Sequence, residues 1–161
     1  MKQEKVQVRI ARLLKGSGMT LSAAESCTGG EISHLITLVS GSSEYYLGSV
    51  TSYAVSVKEK ILGVDAQIVL KNGVVSSEVA AAMAEGVKRI TGSTFSVATT
   101  GLAEGSDGSY PEGTVWMAVS GPERTVTRLF QTSKSSRSLN IRLFANAALR
   151  LLEEEIKNQT I

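Results

Sequence analysis

Ser26, Cys27 and Thr28 stand side by side in SAAESCTGG, residues 22–30, and two glycines close the stretch. A hydroxyl or thiol where an apolar run meets a turn is a candidate nucleophile. Glycines there let backbone N–H groups gather around an anion or an oxyanion. The logic is that of the nucleophile elbow, although the G-x-S-x-G spacing is absent. A plainer use is also open: Ser26 or Thr28 can cap the helix that follows. Cys27 is either a second nucleophile or a packed thiol, and no histidine adjoins it to lower its pKa.

A serine nucleophile needs a base. The chain has one histidine, His34, eight residues after Ser26 and about two turns into the following helix. A Ser-His-Asp triad would have to use it, yet from that position it does not easily reach back to the serine. A zinc site of the usual kind could draw only on Cys27 and His34. Lysine is the natural alternative base once its pKa is lowered. SYAVSVKEKILG offers Lys58 and Lys60, with Tyr53 just upstream. Lys58 is expected near the start of a helix, whose dipole would depress its pKa; the other reading is a solvated surface lysine.

A third segment, TTGLAEGSDG, sets Gly101, Gly105 and Gly108 among the hydroxyls of Thr99, Thr100 and Ser106. It is either an anion-binding loop or a surface loop. No G-K-[ST] follows it, so it is not a Walker A sequence, and no G-x-G-x-x-G follows the first strand. Tyr53 and Lys58 are also too far apart for the Y-x-x-x-K of short-chain dehydrogenases. Arg137 and Arg142, late in the chain, either meet a phosphate or lie on a solvated face.

The elements that position these residues follow from periodicity. Residues 4–14 read as a helix carrying Val6, Ile10, Leu13 and Leu14, and Gly16 and Gly18 end it. Residues 20–25 read as a buried strand, 30–38 as a helix, 45–55 as a strand and 57–62 as a short helix stopped by Gly63. Residues 76–90 give the clearest helix, with Ser76 or Ser77 as cap and Val79, Met83, Val87 and Ile90 as stripe. A strand over 94–100, a loop over 100–113 and strands over 114–120 and 124–131 around GPE come next. The last helix, 135–155, is expected to turn Leu139, Leu143, Ala147, Leu149 and Leu152 inward. Interleaved helices and strands with one late hairpin predict a three-layer α/β/α domain, its ligand beyond the carboxyl ends of the strands.

Composition narrows the classes. The 161 residues predict one domain, 1–161. A net charge of +2 and scattered Lys and Arg argue against nucleic acid as a partner. No apolar run reaches the ~20 residues of a membrane span, and the N-terminus lacks the apolar core of a signal peptide. A lone cysteine suits a reducing compartment, so a cytoplasmic protein is expected.

AESCTGG, SGSSEYYLGSVTSYAVSVKEKILGV, GVVSSEVAAAMAEG, ATTGLAEGSDG and EGTVW occur in that order. Through them the chain, from about Val6 to Leu152, resembles the CinA C-terminal domain of the competence/damage-inducible family, whose stand-alone members are nicotinamide-nucleotide amidohydrolases. The resemblance implies a three-layer α/β/α sandwich with a mixed, mostly parallel sheet. It implies deamidation of nicotinamide mononucleotide to nicotinic acid mononucleotide and ammonia, a step of pyridine-nucleotide salvage, with no metal or other cofactor. Ser26 would be the nucleophile, Lys58 its base and Tyr53 a site residue near both. Thr28, Gly29, Gly30, Thr100, Gly101 and Arg142, with Arg137 beside it, would hold the substrate. A homo-oligomer is implied, with a small pyridine nucleotide as partner and neither nucleic acid nor membrane.

The chain also differs from that pattern. Ala54-Val55 stands where the family usually has Ser-Asn, Glu104-Gly105 where it has Gly-Pro, and Gly48-Ser49 where it has Gly-Gly. A carboxylate at Glu104 repels a bound phosphate unless it points away. A non-catalytic nucleotide-binding module and an amidohydrolase with a shifted substrate are therefore the alternatives.

Overall fold

A computed structural model describes residues 3–160. Five strands form one sheet: β1 (Leu21–Glu25), β2 (Tyr46–Thr51), β3 (Phe95–Leu102), β4 (Thr114–Ser120) and β5 (Thr125–Gln131), in the order β2-β1-β3-β4-β5. β1 runs parallel to β2 and β3, while β3–β4 and β4–β5 are antiparallel. The parallel half is thus β2-β1-β3, and the two kinds of pairing are equal in number. Helices cover both faces: α1 (Val6–Leu14), α2 (Glu31–Thr37), α3 (Val55–Lys60), α4 (Ala66–Asn72), α5 (Ser77–Thr91) and α6 (Arg137–Gln159).

Strand alternation sends successive side chains to opposite faces. Leu21, Ala23, Phe95, Val97, Met117 and Val119 meet α1, α2 and α6 in one core. Ala24, Ala98 and Ala118 lie in register across β1, β3 and β4 and face α5 in the other. That row of methyls leaves room for a helix to approach closely, and α5 presents Ala80, Ala84 and Gly86 among its buried residues. A Cβ at Gly86 would collide with the Leu62 carbonyl oxygen, so α5 also meets the segment after α3 backbone to side.

Several boundaries differ from the sequence reading. β2 stops at Thr51, four residues short of the expected 55, and α3 starts at Val55, two before the expected 57. α4 occupies a stretch given no element above; Asp65 caps it by accepting from Gln67 N–H at 2.8 Å. Ile90 and Leu139 are exposed rather than inward, whereas Phe144, Ala145, Ala148, Leu151 and Ile156 join Leu149 and Leu152 in the core. No helix among the described residues is long and apolar enough to cross a membrane.

Candidate active site

The parallel half of the sheet brings three strand ends together. Glu25 lies in register with Thr51 on β2 and Thr99 on β3. The next residue on each strand therefore emerges at one edge: Ser26, Ser52 and Thr100. Ser26 N–H still donates to the Thr99 carbonyl at 3.2 Å, which fixes the serine at the lip of the sheet.

Lys58, on α3, points back beneath this lip and is fully buried. Its Nζ lies 2.8 Å from Ser26 Oγ, 2.6 Å from the Ser52 carbonyl oxygen and 3.1 Å from the Tyr53 carbonyl oxygen. No carboxylate is among these partners. Burial accordingly holds the Lys58 pKa below the ordinary 10.5. The cause is desolvation and not a helix dipole, because Lys58 sits in the last turn of α3 rather than the first. Lys60, the other candidate, is exposed. Ser52 Oγ is buried beside this cluster with no partner among the described residues.

The turn from Ser26 to Gly30 is built by a residue the sequence reading passed over. The Glu25 carboxylate is fully buried and accepts from Thr28 Oγ1 at 2.7 Å, Ile32 N–H at 2.9 Å and Ser33 N–H at 3.0 Å. An acidic side chain thus satisfies the orphan amides at the start of α2. Its sequence signal was a glutamate ending a strand just before a helix. Thr28 Oγ1 also bonds Thr99 Oγ1 at 2.8 Å, so this hydroxyl ties the turn to the sheet instead of facing a substrate. Gly29 and Gly30 take φ of 58° and 108°, a left-handed geometry that L side chains resist. Neither lines the cleft described next; they shape the turn.

A cleft of about 390 Å³ opens over Ser26. Val74, Val75 and Leu102 give it apolar walls; Tyr53, Thr100, Gly101, Glu104, Asp107 and Arg137 supply its polar groups and rim. Tyr53 is exposed, and its Oη accepts from Arg137 Nη2 at 3.1 Å. Thr100 Oγ1 donates to the Val74 carbonyl at 2.9 Å. Gly101 has a packing reason, since a Cβ there would strike the Thr114 carbonyl oxygen on β4. Arg142 does not line this cleft. Five residues along a helix is about 140° of rotation, so Arg137 and Arg142 cannot share a face, and Arg137 is the one at the cleft.

Cys27 lines the cleft but is not poised to react: burial pushes its thiol up to about 12. His34 is exposed on α2 and makes no side-chain hydrogen bond among the described residues. No group of three or more His, Cys, Asp or Glu there is arranged to hold a metal ion.

The CinA C-terminal domain profile matches residues 3–156. The chain belongs to the CinA C-terminal domain family. A CinA-like protein of Desulfosudis oleivorans is 42% identical over 153 residues, 94% of this chain and 37% of the relative. A CinA-like protein of Salinibacter ruber is 46% identical over 138 residues, 84% of this chain and 33% of the relative. The chain thus spans about a third of the length of these curated relatives. Among solved structures, the competence damage-inducible protein A of Klebsiella pneumoniae superposes with a TM-score of 0.91 at 25% identity, covering 96% of this chain and 97% of that one. A CinA superfamily protein of Escherichia coli gives 0.87 at 28% identity, covering 92% and 88%. The CinA-family fold therefore holds a buried serine–lysine pair at the carboxyl ends of its parallel strands in this chain.

Proposed function

We propose that this CinA-family chain is an amidohydrolase that deamidates nicotinamide mononucleotide, with Ser26 as nucleophile and Lys58 as base. The observation that carries the reading is the environment of Lys58 Nζ. Two carbonyl oxygens, of Ser52 and Tyr53, stand ready to accept two N–H bonds, and Ser26 Oγ occupies a third direction. A neutral amine held this way keeps its lone pair for the Ser26 hydroxyl proton. Burial supplies the neutral form by lowering the pKa.

Lys58 takes the proton as Ser26 Oγ attacks the carboxamide carbon, and a tetrahedral intermediate forms. The N–H groups of Cys27 and Thr28 follow Ser26 directly and donate to no carbonyl among the described residues. They are the donors assigned to the oxyanion. Collapse of the intermediate breaks the C–N bond; the Lys58 ammonium returns its proton to the departing nitrogen, and ammonia leaves. Water then attacks the acyl-serine, giving its proton to Lys58, and nicotinic acid mononucleotide is released as Ser26 recovers its hydrogen. Tyr53 and Arg137, bonded to each other at the rim, close the site over the substrate.

Ammonia release from nicotinamide mononucleotide by the purified protein tests the proposal, beside Ser26→Ala and Lys58→Ala. Activity lost in both variants, and no further in the double variant, supports a pair acting as a unit. Activity that survives Ser26→Ala excludes the nucleophile. A folded parent that binds the nucleotide without turnover supports the non-catalytic binding module instead.

A further inference from the structure

The charges at the rim of the Ser26 cleft are unbalanced. Glu104 and Asp107 supply two carboxylates against the single guanidinium of Arg137. Arg137 is itself engaged, since Nη2 donates to Tyr53 Oη and the field of Glu104 already acts on it. Lys58 adds no charge at the rim: it is buried below, and burial favours its neutral form.

The Asp107 carboxylate is held in place, and the backbone next to Glu104 is anchored. Asp107 Oδ1 accepts from Ser109 N–H at 2.9 Å and Tyr110 N–H at 2.7 Å, so the loop carries it at a fixed position. Tyr110 Oη in turn accepts from Trp116 Nε1 at 3.1 Å, which ties the loop to β4. Glu104 follows Ala103, whose carbonyl accepts from the buried Asn140 Nδ2 at 3.0 Å. Its own side chain is exposed and makes no hydrogen bond among the described residues.

We infer that Glu104 is a specificity residue and that this cleft prefers a cationic carboxamide carrying no phosphate, the nicotinamide nucleoside, over the corresponding nucleotide. The inference rests on the amidohydrolase reading of the same cleft. A phosphate monoester carries about −1.5 to −2 at neutral pH. To enter, it meets the carboxylates of Glu104 and Asp107 at the same rim as the one guanidinium of the lining. The oxidised nicotinamide ring of the nucleoside carries a positive charge, which the same carboxylates attract. The apolar walls at Val74, Val75 and Leu102 accept the ring in either case.

Titration calorimetry on the Ser26→Ala protein reads this preference without turnover, with nicotinamide riboside and nicotinamide mononucleotide as probes. The riboside is expected to bind roughly three- to tenfold more tightly at low salt, and the gap to narrow at high salt. Glu104→Gln should bring the two within about twofold by improving nucleotide binding, and Glu104→Arg should invert the order. Glu104 is exposed, so unchanged thermal midpoints verify that both variants fold. In the Ser26-containing protein, kcat/KM for the two substrates should follow the same order. Equal or tighter binding of the nucleotide by the Ser26→Ala protein overturns the inference, as does a Glu104→Gln effect shared by both ligands, or binding of neither. If the expected order appears while the Ser26-containing protein releases no ammonia, the specificity inference stands and the catalytic reading fails.

Discussion

Two clefts of the molecule differ in more than size, and the larger of the two is not the one that holds the serine–lysine pair. The larger, about 670 Å³, lies between α1 and α6 and is lined by Glu4, Arg9, Arg150 and Glu153 among others. Both of its carboxylates, Glu4 and Glu153, are in ion pairs. Arg9 donates through Nε and Nη2 to the two carboxylate oxygens of Glu153, each at 2.9 Å, and Lys157 adds a third bond at 2.9 Å. The smaller, about 390 Å³, opens onto Ser26, and beneath it a fully buried lysine has only neutral oxygens as partners among the described residues. Paired charges keep their ordinary states and stabilise; an unpaired buried amine is pushed toward neutrality and becomes reactive. A buried amine without a countercharge, more than volume, separates the candidate site from a surface hollow.

The largest expected effect breaks the comparison at Lys58. Lys58→Met should lower ammonia release by about a thousandfold, the usual weight of a general base. The same substitution should change thermal stability by no more than about 1 kcal/mol, because relief from the desolvation of Lys58 offsets the loss of its bonds to the Ser52 and Tyr53 carbonyls. A clear loss of stability would mean that Lys58 belongs to the fold rather than to chemistry. The pH profile sharpens the point. With its pKa lowered by burial, the neutral amine gains population as pH rises, so kcat/KM should climb through one ionisation below 10.5.

Next in size, Glu25→Ala strips an acceptor from Thr28 Oγ1, Ile32 N–H and Ser33 N–H. Chemical denaturation should show a loss of about 2–3 kcal/mol. Activity should fall with it, as the turn that carries Ser26 loosens.

A smaller effect belongs to the larger cleft. Glu153→Gln should destabilise by about 1 kcal/mol with ammonia release unchanged. Arg9 chiefly, then Lys157, holds the Glu153 carboxyl at about 2, below the ordinary 4.5. A depressed carboxyl stabilises above its unfolded pKa and loses that contribution as pH falls toward the folded one. The stability gap between the parent and Glu153→Gln should therefore shrink between pH 4.5 and 2. Smallest of all, Arg150→Ala should change neither stability nor activity measurably; a large loss of activity would bring the larger cleft into the reaction.

The amino-acid sequence alone supplied the candidates for the site. While the resemblance implied the roles of Ser26 and Lys58, a candidate nucleophile or cap at a strand–turn–helix junction, one histidine too far along its helix, and lysine as the alternative base followed from residue types and spacing. So did the α/β layering, because periods of 2 and 3.6 are local properties of the chain. Tertiary structure decided which groups meet. Ser26 and Lys58 are 32 residues apart and touch only because β1 and β2 end in register and α3 folds back beneath them. The reading of the sequence through its family resemblance also put Arg142 at the substrate, whereas Arg137 is the one that lines the cleft. It gave Thr28 and the paired glycines to the ligand, whereas Glu25, Thr99 and the left-handed turn claim them. It looked to a helix dipole to tune Lys58, whereas burial does so. Desolvation and side-chain direction depend on every element packed around a residue, so they exist only once the chain has folded.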